Sequence, residues 1–227
     1  MFLGISGLAL LVLVIFTVHL GSTGLSYWDI ITYILHPDDS WNSAVVWDLR
    51  LRVILAAVVA GAALGVAGAV MQIILRNPMA SPFTLGISNA AAFGAAFAIL
   101  FLNGGTVITS AGGGTVQVSE PLVVTLCAFA FAMACTLMMI IIVKVTDVSP
   151  ESIVLAGMAL SSIFTALLSL LQYLADSTQL SSIVGWQFGS VSRITWSQEY
   201  ALIVILVLVS IYFIYKRWDY NALESGE

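Results

Sequence analysis

Charge is what this sequence has least of. Only 8% of its 227 residues are Asp, Glu, Lys or Arg, against 60% hydrophobic residues. Soluble domains carry about 25% charged residues, so a water-soluble globule is excluded and a bilayer is the solvent that suits this composition. Histidine is nearly missing as well. His19 and His36 have no ligand partners at metal-site spacing, and neither a metal nor a cofactor is expected. The two cysteines, Cys127 and Cys135, share one apolar run. Two helical turns separate them, too far for a disulfide within one helix, and they read as small buried hydrophobes. The basic residues form no patch, which argues against nucleic acid as a partner. No span carries a buried charged pair, a nucleophile–base pair, or a two-acid or two-histidine metal set. A proton relay and an intramembrane enzyme are therefore both disfavoured.

What the chain has instead is long apolar runs. At about 20 residues per crossing, the length allows roughly six spanning helices. They are expected at residues 2–20, 53–75, 82–102, 122–143, 153–174 and 199–215. The first run lacks a basic leader and a good cleavage site, so it reads as a retained helix and not a signal peptide. GLSYWDIITYIL, after it, predicts a short amphipathic helix at the interface, anchored by Tyr27 and Trp28. The glycine-rich NGGTVITSAGGGTVQVSEP predicts an extended segment or loose hairpin. ADSTQLSSIVGWQFGSVSRITW is too polar to span, and a short helix near Gln179–Gln187, outside or re-entrant, is expected there. Six spans put both termini on one side. With the N-terminus inside, Arg76, Lys144, Lys216 and Arg217 lie inside and Arg50, Arg52 and Arg193 outside, a bias too weak to settle the orientation.

The densest information lies between Arg50 and Gly94. Gly61, Gly65 and Gly68 mark one face of the second span at small-residue spacing, which suits tight helix packing or the wall of a conduit. Gln72 and Asn89 are uncharged polar residues in or near spans, suited to bonding a neighbouring helix or lining a pathway. The hinge RNPMASP sets Arg76 and Asn77 at a membrane face, then Pro78 and Pro82 to stop one helix and start another. Before the span stand Asp48, Arg50 and Arg52. Basic residues there usually snorkel to the interface; on the outer side, a docking partner bearing carboxylates is the sharper alternative.

These motifs resemble the FecCD-type permeases, the membrane subunits of type II ATP-binding-cassette importers for iron–siderophores, haem and cobalamin. GAALGVAGAVMQ, RNPMASP, TLGIS and AAFG carry the likeness in order, and SPESIVLAGMALSSIFTALLSLLQYLAD and IVGWQFGSVSRITW extend it over essentially the whole chain. The resemblance implies an all-α polytopic membrane protein and a single permease domain over residues 1–227. Six helices are present here of about ten in each subunit of a homodimer, at about 20 residues a crossing. It implies cytoplasmic termini in a prokaryotic cell membrane, a binding protein delivering substrate from outside, and two ATPase subunits driving alternating access from inside. Residue by residue, it makes Arg50 a docking arginine for acidic groups of the binding protein. This chain reads RLRV where the family reads RLPR, so Arg52 stands at the proline position as a substitute. It places one cytoplasmic gate segment at Asn77 and Met79 and a second at Ser149 and Pro150. Asn77 and Pro78 also suit simple turn chemistry.

Family members run about a hundred residues longer, room for four more helices at about 20 residues each. The chain stops at RWDYNALESGE, which looks like the start of the segment that docks in the ATPase cleft. The leading expectation is a permease subunit, or its N-terminal two-thirds, moving an iron-siderophore or related metal chelate inward. The alternatives are a truncated, non-transporting membrane remnant and an unrelated six-helix channel or secondary transporter. The last of these would need inverted repeats or intramembrane ionisable residues.

Overall fold

The computed structural model describes residues 2–20, 24–78, 80–102, 105–108, 115–118, 121–146 and 150–220. The described residues are helical with one small hairpin. In order it runs α1 (Phe2–His19), α2 (Tyr27–Leu35), α3 (Trp41–Ala44), a π-helical stretch (Val45–Leu51) and α4 (Arg52–Ile74). It continues with α5 (Ile87–Phe101), β1 (Gly105–Ile108), β2 (Thr115–Val118), α6 (Pro121–Thr146), α7 (Pro150–Leu174), α8 (Ser177–Phe188), a 3₁₀ turn (Val191–Arg193) and α9 (Trp196–Tyr215). Among the described residues, four stretches are long and apolar enough to cross a membrane, Trp41–Ile74, Pro121–Val145, Ser152–Leu174 and Trp196–Tyr215. Gly4–His19 and Ile87–Phe101 are shorter apolar helices. Even in the most enclosed of the four, only 22% of the apolar window is buried within the chain. Their outward faces are apolar, as the hydrocarbon of a bilayer demands. The protein is an all-α polytopic membrane protein.

Two compact units make up the chain. The first holds Met1–Ala63 and Ser190–Ile214, the second Leu64–Gly189 and Tyr215–Glu227. In the first, α2 tucks Ile30 against Leu25 and Val46, with Val18, Tyr33, Ile34 and Leu51 packed around them. Its other face stays open, with Trp28 exposed, and Tyr27 stacks on His19 at 3.9 Å. The Trp47 indole donates to the carbonyl of Tyr33 at 3.0 Å, tying α2 to the π-helical stretch.

The second unit is built around α5. Its sequence, ISNAAAFGAAFAILF, is rich in side chains no larger than methyl, so α6, α7 and α8 come close on several sides. Ala92, Ala95, Ala96, Ala98 and Ile99 form one core with Val124, Ala128, Leu168, Leu171 and Ile183. Ala90 forms another with Cys135, Met139, Leu160 and Phe164. The glycine-rich segment pairs β1 with β2 antiparallel, Gly105 opposite Val118 and Ile108 opposite Thr115. The short polar helix forms as α8, capped by Asp176, whose carboxylate accepts the amides of Thr178 and Gln179 at 2.8 Å. Gly189, at φ 72°, follows its last residue.

The third apolar helix begins at Ile87 and not at residue 82. Pro82 suits a first helical position, but Ser81 and Thr84 close a turn across it. The Ser81 amide donates to Thr84 Oγ1 at 3.1 Å, the Thr84 amide to Ser81 Oγ at 3.3 Å, and the Thr84 hydroxyl to the Ser81 carbonyl at 2.8 Å. Gly86, at φ 76°, then starts the helix.

Candidate functional site

The arginines before α4 occupy different surroundings within the first unit. Arg50 ends the π-helical stretch and is buried, 8% exposed. Its Nη1 donates to the carbonyls of Val18 at 2.8 Å and His19 at 3.4 Å, the last carbonyls of α1. A helix leaves those carbonyls unmatched and carries partial negative charge there, so the guanidinium caps α1. Arg52, one residue into α4, is turned elsewhere. Its Nη1 stands 4.0 Å from Asp48 Oδ1, and its side chain keeps 20% exposure. The same Asp48 oxygen accepts the Trp196 indole N–H at 2.7 Å, and the Trp47 and Trp196 rings meet at 6.1 Å. Glu199, on the first turn of α9, is fully buried, and neither of its carboxylate oxygens has a hydrogen-bond partner among the described residues. The sequence reading placed Glu199 at the start of the last span and gave it no role. The available signal was its place at the edge of an apolar run in a chain so poor in charge.

The hinge after α4 lies in the second unit. Arg76 takes the left-handed conformation, φ 45°. Its amide donates to the Ile73 carbonyl, and the Asn77 amide to the Gln72 carbonyl, both at 3.1 Å. Crossed bonds of this kind end a helix in a Schellman turn, with arginine where glycine is usual. Gln72 also sends its side-chain amide to the Pro78 carbonyl at 3.0 Å. The Ala80 amide then donates to the Asn77 carbonyl at 3.0 Å, closing a further turn. Gln72 therefore braces the hinge with backbone and side chain alike. Met79 and Ser149 lie outside the described residues, and Pro150 opens α7.

The hinge runs directly into a close helix crossing. A Cβ on Gly86 would meet the Ser161 amide nitrogen at 2.8 Å, and one on Gly157 would meet Leu85 Cα at 2.8 Å. The Asn89 amide donates to the Ser161 hydroxyl beside this contact. Further along α5, a Cβ on Gly94 would lie 2.5 Å from the Cys127 carbonyl oxygen. Gly61, Gly65 and Gly68 differ: a Cβ on any of them meets nothing within 4 Å among the described residues. Within this chain the tight packing falls on Gly86, Gly94 and Gly157, which the sequence reading did not single out.

Residues 9–227 match the FecCD transport family. The chain belongs to that family. Among its relatives, this FecCD chain is 46% identical over 183 residues to the ABC transporter permease protein MJ0087 of Methanocaldococcus jannaschii, covering 81% of this chain and 52% of the relative. It is 33% identical over 182 residues to the vitamin B12 import system permease protein BtuC of Escherichia coli O6:H1, covering 80% and 51%. Its fold resembles a solved metal-chelate type ABC transporter in an inward-facing conformation, with a TM-score of 0.72 and 27% identity over 96% of this chain and 61% of that one. The FecCD chain spans about half the length of the curated relatives it matches.

Proposed function

We propose that this chain forms the translocation pathway of an ATP-binding-cassette importer for a metal chelate, of iron-siderophore or related type, in a prokaryotic cytoplasmic membrane. One relative is by name a permease of a vitamin B12 import system, and one structural neighbour is a metal-chelate type ABC transporter. The observation that carries the reading is the braced hinge on a chain of this family. Gln72 and the crossed bonds at Arg76 and Asn77 give the loop after α4 one defined shape, as a gate segment needs. Asn77 and Met79 form one gate segment, and Ser149 and Pro150 the other. Opening and closing them follows from ATP-driven closure of two partner ATPase subunits, with no covalent chemistry in the permease.

Arg50 and Arg52, in this reading extracytoplasmic, serve docking of a substrate-binding protein through its carboxylates. The open glycine face of Gly61, Gly65 and Gly68 serves the conduit, where a bulky solute and a second permease copy approach α4. Lipid covers the remaining apolar surface.

Reconstitution tests the reading. The chain is purified from its native membrane with whatever polypeptides accompany it and placed in proteoliposomes. ATP-dependent uptake of a labelled iron-siderophore, haem or cobalamin is then followed. Uptake of a chelate, lost when ATP is omitted, supports the importer; ATP-independent flux of small ions through the same vesicles sinks it in favour of a channel.

A further inference from the structure

The nine residues of α2 are too few to cross a bilayer. At about 1.5 Å a residue they reach less than half of a hydrocarbon core about 30 Å thick. Their place in the chain sets their level. The apolar helix α1 ends at His19 shortly before them, and a spanning stretch opens at Trp41 shortly after. The helix α2 therefore sits at the bilayer surface, where these two stretches turn.

Both of its sides are apolar. On one, Ile30 packs against Leu25 and Val46, and the Tyr33 carbonyl accepts the Trp47 indole. On the other, Trp28, Ile31 and Leu35 follow at helical spacing, with Trp28 76% and Leu35 67% exposed. The polar groups of α2 turn back on the helix itself. The Ser26 amide donates to Asp29 Oδ2 at 3.0 Å, and the Thr32 hydroxyl to the Trp28 carbonyl at 2.8 Å. Tyr27 stacks on His19, while Trp41, which the sequence reading did not name, is 75% exposed at the head of its span.

Three occupants suit an exposed apolar face, and chemistry separates them. A docked soluble protein is met by about one hydrogen bond per 100–200 Å² of contact, and among Trp28, Ile31 and Leu35 the one side-chain donor is an indole. A second copy within the bilayer favours small residues, which let helices approach; these three are bulky. Lipid asks for neither, since aromatic rings settle at the headgroup level and aliphatic side chains below it. The face also adjoins the end of α1, where Phe16 and Leu20 are more than half exposed. No Lys or Arg precedes Arg50, whereas Asp29, Asp38, Asp39 and Asp48 do, so attraction to anionic headgroups has no basic cluster to act on.

We infer that α2 is a lipid-seated ledge: Trp28, Ile31 and Leu35 sink into the headgroup–acyl boundary of the bilayer, with Trp41 at the same level, and the contact rests on apolar burial and not on anionic lipid. Because Ile30 and Tyr33 join the ledge to the π-helical stretch, that stretch is held at the membrane surface with it. This holds whatever the chain transports.

The test needs no variant. Native membranes are labelled in parallel with a hydrophobic diazirine, which partitions into the bilayer, and with hydroxyl radicals from the aqueous phase. Mass spectrometry then gives the ratio of the two labels at each residue. Leu208, exposed within the α9 span, is the lipid reference, and His36, exposed after α2, is the water reference. The ratios at Ile31 and Leu35 are expected to match Leu208 and to exceed His36 by about tenfold. Ratios that match His36 place the face in water and overturn the inference. Absence of both labels means that protein covers it, a second copy or a delivering protein, and overturns it equally. The complex in phosphatidylcholine vesicles, with and without phosphatidylglycerol, gives the second arm. Unchanged ratios are expected; lipid labelling that appears only with phosphatidylglycerol overturns the apolar mode of contact.

Discussion

Gln72 and Pro78 are joined across the end of α4: the glutamine side-chain amide donates to the proline carbonyl at 3.0 Å. The same glutamine gives its backbone carbonyl to the Asn77 amide. Replacing it with alanine removes the first bond and keeps the second. An intramolecular hydrogen bond of this kind contributes about 1 kcal/mol, a factor of about 5 in the local opening equilibrium. Hydrogen exchange of the Ala80 amide should therefore accelerate about fivefold in Gln72→Ala, with α5 unaffected. Unchanged exchange there would show that the backbone turn holds the loop alone.

The glycines separate into two classes. Gly94→Ala drives a methyl to 2.5 Å from a backbone oxygen of α6, and Gly86→Ala adds a left-handed φ of 76° to a 2.8 Å backbone contact. Overpacking of this kind costs about 1–3 kcal/mol, and the strained φ about 1–2 more. Gly65→Ala meets open space and gains helix propensity, leaving stability within about 1 kcal/mol of the parent. Denaturant unfolding in detergent orders the three. Equal losses at all three positions would mean that α4 packs as tightly as α5.

Arg50 should also carry structural weight at the end of α1. Arg50→Gln removes a charged donor from two carbonyls of α1, and the loss is about 1.5–3 kcal/mol. Arg50→Lys restores the charge at the helix end and recovers part of it. Protease sensitivity of the segment after His19 reads the effect directly. A variant as resistant as the parent would show that water caps α1 equally well.

Acid should loosen the approach to α3. The Ser40 hydroxyl beside Asp38 holds its carboxyl below the ordinary value of 3.8. A depressed carboxylate contributes stability above its unfolded pKa and loses it as pH falls through the folded one. Order at residues 38–43 should thus be complete at neutral pH and fade only below pH 3.8. Trp41 fluorescence should follow that fade, and Asp38→Asn should flatten the curve.

The apolar helices were legible because period and length suffice to recognise a span, and proline or glycine marks most of their ends. The start of α5 was not, since Pro82 carries the same local signal whether a helix or a serine–threonine turn follows. The close-packed glycines were not legible for a related reason. GAALGVAG repeats at helical spacing and attracts attention, whereas Gly86, Gly94 and Gly157 are isolated and become tight only where another backbone arrives. In the arginine cluster, local sequence cannot tell Arg50 from Arg52. What distinguishes them is the end of α1, more than thirty positions earlier for Val18, which Arg50 caps while Arg52 turns toward Asp48.

The contact of Gly86 and Gly157 has a mechanical side. Side chains at a crossing yield by changing rotamer, but main chain pressed on main chain has no such freedom. Leu85 cannot slide past Gly157, nor Gly86 past Ser161, without parting the two helices. The turn that follows the hinge and the middle of α7 therefore behave as parts of one lever: a push that displaces the turn is delivered to α7 undamped.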